Sequence, residues 1–297
     1  MKTYDDLPTD GGSNIIGQVV SQREKLRDRL DKIKHKICLM SGKGGVGKSS
    51  VTANMAACLA SKGFKVGILD ADLNGPSIGK MLGVPQSAKL EITPEGVEPG
   101  KGALGIKIMS MDMLLPDPDS PVMWTEGKDA TAVWISMMES NALRELMTDT
   151  QWGELDYLLI DMPPGSDRID NVRDLVPELD GVVEITIPSP ISQHIVSKSI
   201  SKSNLMGVSI IGLVENMATY VCPHCHEEGK LFEGEDVEQL SKDKKIPLLG
   251  RIPFDTRVSR QTGKGKLFFE EHADSVTGQA ITQVVDNVLA FIQNKSN

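Results

Sequence analysis

The stretch SGKGGVGKSS at 41–50 satisfies the spacing G-x-x-x-x-G-K-[ST], with Gly42, Gly47, Lys48 and Ser49 at its fixed positions. It follows a short apolar run, ICLM, and precedes a helical pattern, VTANMAACLASKG, which is the context such a loop needs to bind phosphate. Gly42, Gly44, Gly45 and Gly47 let the backbone N–H groups around Val46 turn inward onto phosphate oxygens, and the helix that opens beyond them adds its positive end. Lys48 carries charge to the β- and γ-phosphates, Ser49 offers a hydroxyl to magnesium, and Ser50 completes the cradle.

Carboxylates stand where such a loop requires them. ILDADLNGPS places Asp70 and Asp72 at the end of an apolar run, where both can approach a magnesium–phosphate zone, one through metal waters and the other orienting the attacking water, and Asp70 is counted with Ser49 and Asp161 as a magnesium residue. LLIDMPPGS delivers Asp161 to magnesium from a second apolar run, followed by a stiff turn at Pro163, Pro164 and Gly165. Further along, YVCPHCHEEG holds Cys222 and Cys225 as C-x-x-C. Two thiolates at this spacing grip one metal or one edge of a cluster, half of what a four-thiolate site needs. His224 and His226 flank them, and spacing alone does not separate zinc from iron–sulfur.

The elements that must position these groups read as α/β. ICLM, KVGILD, IKIMSM, DYLLID, GVVEITI, VSIIGLV and the shorter PLLGRI are apolar on both faces and alternate with helical stretches, the signature of a doubly wound, mostly parallel sheet flanked by helices. Residues 1–16 read as a polar tail, 17–34 as an amphipathic helix, and 35–297 as one ATPase domain with its C-x-x-C loop at 217–231. Between 83 and 128 the pattern loosens into a hairpin insertion and a surface loop. The closing AITQVVDNVLAFIQ lacks the basic polar face of a membrane-surface helix and reads as core packing.

Composition excludes some partners. With 32 Lys+Arg against 41 Asp+Glu the net charge is −9, which opposes a nucleic-acid groove or an anionic membrane patch. No run reaches the length of a spanning helix. The N-terminus is acidic where a signal peptide is basic, and 4 cysteines are too few for a disulfide framework, so a cytoplasmic protein is expected. Cys38 and Cys58 sit among apolar neighbours and read as small buried residues.

Lys43, a second lysine early in the loop, resembles the deviant phosphate loop of the MinD/ParA-like superfamily. That likeness implies that Lys43 reaches the nucleotide of a partner subunit, that two ATP molecules lie between two protomers, and that Asp72 is the hydrolytic residue. KGGVGKS, LDADLNGPS, WGELDYLLIDMPPG, VENM, VCPHC and PLLGRIPFD, in this order over about 36–270, resemble the Mrp/ApbC family of iron–sulfur cluster carrier ATPases. The resemblance implies a cytoplasmic homodimer that hydrolyses ATP slowly, holds a [4Fe-4S] cluster between subunits on Cys222 and Cys225, and hands it to apo-proteins, with no nucleic-acid or membrane partner. It assigns Lys43, Lys48 and Asp72 to catalysis and Asn216, Pro253 and Asp255 to the adenine. Two stretches depart from the family pattern, TEGKDATAVWISMM at 125–138 and the shortened PPGSDRID. An alternative is a MinD/ParA-like ATP-gated positioning or interaction ATPase with a structural zinc at the C-x-x-C. A metabolic kinase or synthetase is a third reading, for which the sequence shows no acceptor pocket.

Overall fold

The apolar runs read from the sequence pair into one sheet. The computed structural model describes residues 15–85, 90–115, 122, 132–165, 169–221, 227–232, 234, 237–262 and 264–296. In chain order, α1 (Ile15–Leu30), β1 (Ile33–Ser41), α2 (Lys48–Ser61), β2 (Val66–Asp70) and the short α3 (Ile78–Met81) come first. A hairpin of β3 (Ile92–Thr93) and β4 (Gly96–Val97) follows, then β5 (Gly100–Lys101), β6 (Lys107–Ser110) and α4 (Ala132–Asp149). Next come β7 (Leu155–Asp161), α5 (Ile169–Leu175), β8 (Gly181–Thr186), α6 (Pro190–Leu205) and β9 (Ile210–Val221). The chain continues through β10 (Glu228–Gly229), α7 (Val237–Lys244) and β11 (Leu248–Phe254) to α8 (Thr256–Thr262), α9 (Phe268–His272) and α10 (Val276–Ser296).

The sheet runs β10-β9-β8-β1-β7-β2-β6-β5, with β11 also pairing with β9. β1, β2, β6, β7, β8, β9 and β11 run parallel to one another where they pair, while β5 runs antiparallel to β6 and β10 antiparallel to β9. This is the α/β, doubly wound arrangement expected. Helices cover both faces, and strand alternation decides which residue meets which layer. On β1, Ile37 and Leu39 face α2, α9 and α10, whereas Cys38 and Met40 face α1, α4 and α5. Packed on the sheet and flanked by α9 and α10, α2 is buried almost all round from Val51 to Leu59. That enclosure fixes the helix whose first turn must meet phosphate.

Cys38 and Cys58 are buried free thiols. Burial pushes the thiols of both up, so neither is a ready nucleophile. On α10, Ile281, Val284, Val285, Val288 and Ile292 are buried against the core, as expected of its apolar stripe. Among the described residues no helix is long and apolar enough to cross a membrane.

One strand is longer than its apolar run. The sequence suggests a strand ending near Val214, but β9 continues through Asn216 and Tyr220 to Val221. β11 pairs along it as far as Phe254 opposite Tyr220, and β10 pairs antiparallel at Tyr220 and Val221. Backbone hydrogen bonds to two partners carry the strand beyond the point where its side chains stop being uniformly apolar. In the register with β10, Val221 stands opposite Glu228.

Candidate nucleotide and magnesium site

The loop after β1 emerges at the carboxyl end of the parallel strands, where open α/β sheets bind their ligands. Its shape depends on glycine. Gly45 and Gly47 hold φ of +80° and +82°, the left-handed region that side chains disfavour. A Cβ on Gly47 would also stand 2.4 Å from Asn216 Nδ2, and one on Gly42 would stand 2.8 Å from Ile195 Cγ2 on α6. Gly44 and Gly45 are exposed, whereas Val46 is buried and pins the middle of the loop to the core.

Lys48 opens α2 and is 6% exposed. Its ammonium lies 2.5 Å from Asp161 Oδ2, and the Ser49 hydroxyl donates to the same oxygen at 2.6 Å. Thr52, one turn on, donates to Asp161 Oδ1 at 2.6 Å. Asp161, fully buried at the end of β7, therefore collects the Lys48 ammonium and the Ser49 hydroxyl, the two side-chain donors of the loop signature, together with Thr52. The Lys48 and Ser49 side chains can turn from Asp161 to phosphate and metal by a change of rotamer, without unfolding the helix that carries them. Thr52 escaped the sequence reading because it lies outside the loop signature; its spacing of one helical turn from Lys48 was the available signal.

Asp70 is Asp161's register partner across β2 and β7. Its Oδ2 accepts the amides of Ser77 at 2.9 Å and Ile78 at 3.1 Å, and its Oδ1 accepts that of Asp72 at 3.2 Å. The chain turns back at Gly75, bringing those amides onto the carboxylate. This gives Asp70 an anchoring job that its sequence position did not announce. Burial, then the charge of Asp161, push its carboxyl up to about 7, against the pull of the amides and of Lys48. Asp72, half-buried, accepts the Gly75 amide on Oδ1 at 3.2 Å, so the loop holds it in a tight turn.

Lys43 is half-buried, and its ammonium makes no ion pair among the described residues. The turn after β7 closes on the same loop: Gly165 donates its amide to the Ser41 carbonyl at 2.9 Å, and Pro164 stands beside Gly44.

A cavity of about 450 Å³ adjoins the loop, lined by Gly47, Ser50, Asn54, Asn216, Pro253 and Asp255 among others. The adenine residues expected from sequence thus share one wall system with the phosphate loop. Asn216 Nδ2 donates to the Val46 carbonyl at 2.8 Å, which fixes β9 to the loop. Burial works against the charge of Asp255, but the hydrogen bonds and charge of Arg257 outweigh it and hold the carboxyl below the usual range. Its Oδ2 lies 2.6 Å from Arg257 Nη2, and Arg257 in turn stacks over the Phe268 ring. With that carboxylate occupied, Pro253 and the apolar Ile252, Val258 and Ile281 define the walls. Asn54, also missed by the sequence reading, bonds the Ser50 carbonyl and receives the Phe269 amide, tying α2 to α9.

The donor set fits magnesium: one hydroxyl and one carboxylate oxygen within 2.6 Å of each other, beside a phosphate cradle, match a hard cation that takes few protein ligands. Cys222 and Cys225 lie outside the described residues.

Comparison with known proteins follows the same lines. The family model described as ParA, NUBPL iron-transfer P-loop NTPase, matches residues 32–289. The chain is 39% identical over 282 residues to a Saccharolobus solfataricus protein named iron-sulfur cluster carrier protein, covering 93% of this chain and 90% of that one. A Methanocaldococcus jannaschii protein of the same name is 42% identical over 248 residues, covering 83% and 82%. A solved nucleotide-binding protein from Archaeoglobus fulgidus in complex with ADP is 36% identical with a TM-score of 0.68, covering 82% of this chain and 92% of that one. A glycine-shaped phosphate loop with Lys48, Ser49 and Asp161 gathered at its mouth, on a sheet matched from end to end by such relatives, makes this chain a member of the NUBPL iron-transfer P-loop NTPase family.

Proposed function

We propose that the protein is an ATP-hydrolysing carrier of an iron–sulfur cluster. The observation that carries this reading is the path of β9. The strand that donates Asn216 to the phosphate loop ends five residues later at Val221, immediately before Cys222 in the sequence. The nucleotide loop and the cysteine-bearing segment thus lie at two points of the same strand, separated by a bulge at Met217.

ATP enters with its phosphates in the 42–50 loop and its base in the 450 Å³ cavity beside Asn216 and Pro253. Lys48 exchanges Asp161 for the β- and γ-phosphates. Ser49 and Asp161 would hold magnesium, which supplies positive charge at the phosphates. Asp72 orients the attacking water, and Lys43, whose ammonium has no ion-pair partner among the described residues, reaches the nucleotide of a second copy, where an added cation stabilises the charge of the departing phosphate. In the resulting homodimer the two Cys222/Cys225 pairs supply four thiolates to one [4Fe-4S] cluster, the cargo, which is passed to apo-proteins. Hydrolysis reopens the dimer and biases the cluster between holding and release.

The test is anaerobic reconstitution with iron and sulfide, counting iron, sulfide and zinc per chain beside a double Cys222→Ala/Cys225→Ala variant. About four irons per dimer, lost in that variant, is the expected result. Zinc without sulfide would leave an ATPase with a structural metal. Lys48→Ala is expected to abolish both ATP turnover and cluster delivery, and delivery that survives in this variant overturns the coupling.

A further inference from the structure

A buried carboxylate outside the phosphate-loop machinery grips the segment that carries Asp72. Glu139, on α4, is 6% exposed, and its Oε1 accepts a hydrogen bond from Asn74 Nδ2 at 2.8 Å. Asn74 stands two residues beyond Asp72, inside the turn whose Gly75 amide donates to the Asp72 carboxylate. The Asp72 segment is thus held from two sides, by Asp70 through its backbone and by Glu139 through a side chain.

The surroundings give the contact a second connection. Leu73, Asn74, Glu139 and Leu143 meet Met162 and Pro163 around a cavity of about 20 Å³, the room of a single water. Met162 and Pro163 directly follow Asp161. One face of α4 therefore touches the loop after β2 and the turn after β7 together. A carboxylate is expensive to bury in such a place unless it is hydrogen-bonded, and an apolar side chain would pack against Leu73 and Leu143 at lower cost. The acid adds a directional bond to the Asp72 loop.

We propose that Glu139 is a positioning residue for ATP hydrolysis: through Asn74 it fixes the loop that aims Asp72, and it makes α4 the common support of both acidic turns. This rests on the function proposed above, since it presumes that Asp72 orients the water. Glu139 acts on the Asp72 loop through Asn74.

The test measures kcat, ATP affinity and thermal unfolding of the full chain in Glu139→Gln, Glu139→Ala, Asn74→Ala and the Glu139→Ala/Asn74→Ala double variant. Glutamine keeps an oxygen that accepts from Asn74, so Glu139→Gln is expected to stay near the wild-type kcat. Glu139→Ala should lose about 10- to 100-fold in kcat with ATP affinity unchanged, the cost of a misplaced group rather than of lost binding. Asn74 is exposed, so Asn74→Ala should fold normally, show the same kcat loss, and add nothing in the double variant. A wild-type kcat in Asn74→Ala, additive losses, or equal losses in Glu139→Gln and Glu139→Ala overturn the positioning role while leaving an active ATPase. A wild-type chain that turns over no ATP overturns the function and the positioning role together.

Discussion

Asp70 and Asp161 end adjacent strands at the same register, yet they are held by opposite kinds of donor. Asp161 accepts from three side chains, Lys48, Ser49 and Thr52, whereas Asp70 accepts from three backbone amides, those of Asp72, Ser77 and Ile78. Side-chain donors can leave for a ligand by a change of rotamer. Amides of a folded turn can leave only if the turn unfolds. The first arrangement makes an acid that trades partners when nucleotide arrives, and the second makes an acid that holds a loop in shape. Two strand-end aspartates that look equivalent as sequence therefore divide exchange from anchoring.

The comparison breaks most visibly in stability. Asp161→Asn strands the Lys48 ammonium in a buried site and is expected to cost ~3–5 kcal/mol in urea unfolding of the nucleotide-free chain. Asp70→Asn keeps one acceptor oxygen for the amides and should cost ~1–3 kcal/mol. Equal losses would mean that the two acids are held alike.

Glu184 on β8 separates burial from repulsion as the cause of a raised carboxyl. It is fully buried and donated to by Ser199, and burial alone pushes it up to about 7, without the neighbouring carboxylate that acts on Asp70. The unfolded chain gives up this proton near pH 4.5, and the folded chain keeps it to about pH 7. Folding stability should therefore fall as pH rises through that window, by on the order of 3 kcal/mol, and level off above it. Urea midpoints of Glu184→Gln across the same window should lose that part of the slope. An unchanged slope would assign the whole effect to other groups.

The smallest expected effect tests the Asp161 side alone. Thr52→Val removes one donor from a buried carboxylate and should cost ~1–2 kcal/mol, with Thr52→Ser recovering most of it. A neutral Thr52→Val would show that Lys48 and Ser49 suffice to hold Asp161.

Much of the framework was legible in the residues. Runs such as KVGILD and DYLLID are apolar on both faces, and this pattern has one common solution, a parallel sheet between helix layers. The phosphate loop was legible because its requirements are local: positive φ at Gly45 and Gly47 and a lysine at a fixed distance from them. The length of β9 was not, because MATYV is held as a strand by β10 and β11 rather than by its own apolarity. Nor was the use of the Asp255 carboxylate, which is spent on Arg257 in a geometry that its RIPFD context does not reveal.

By itself the sequence determined the strand–loop–helix that cradles phosphate, the acids at the ends of β2 and β7, and the C-x-x-C spacing, since each depends on residues close enough along the chain for backbone geometry to set their separation. Only the tertiary structure decided that Lys48 waits on Asp161, that Asn216 ties β9 to Val46 from 170 positions away, and that Glu139 grips Asn74 from α4. Those partnerships depend on how layers pack. Each such side chain is one of many of its type, and only the fold selects the atom that it meets.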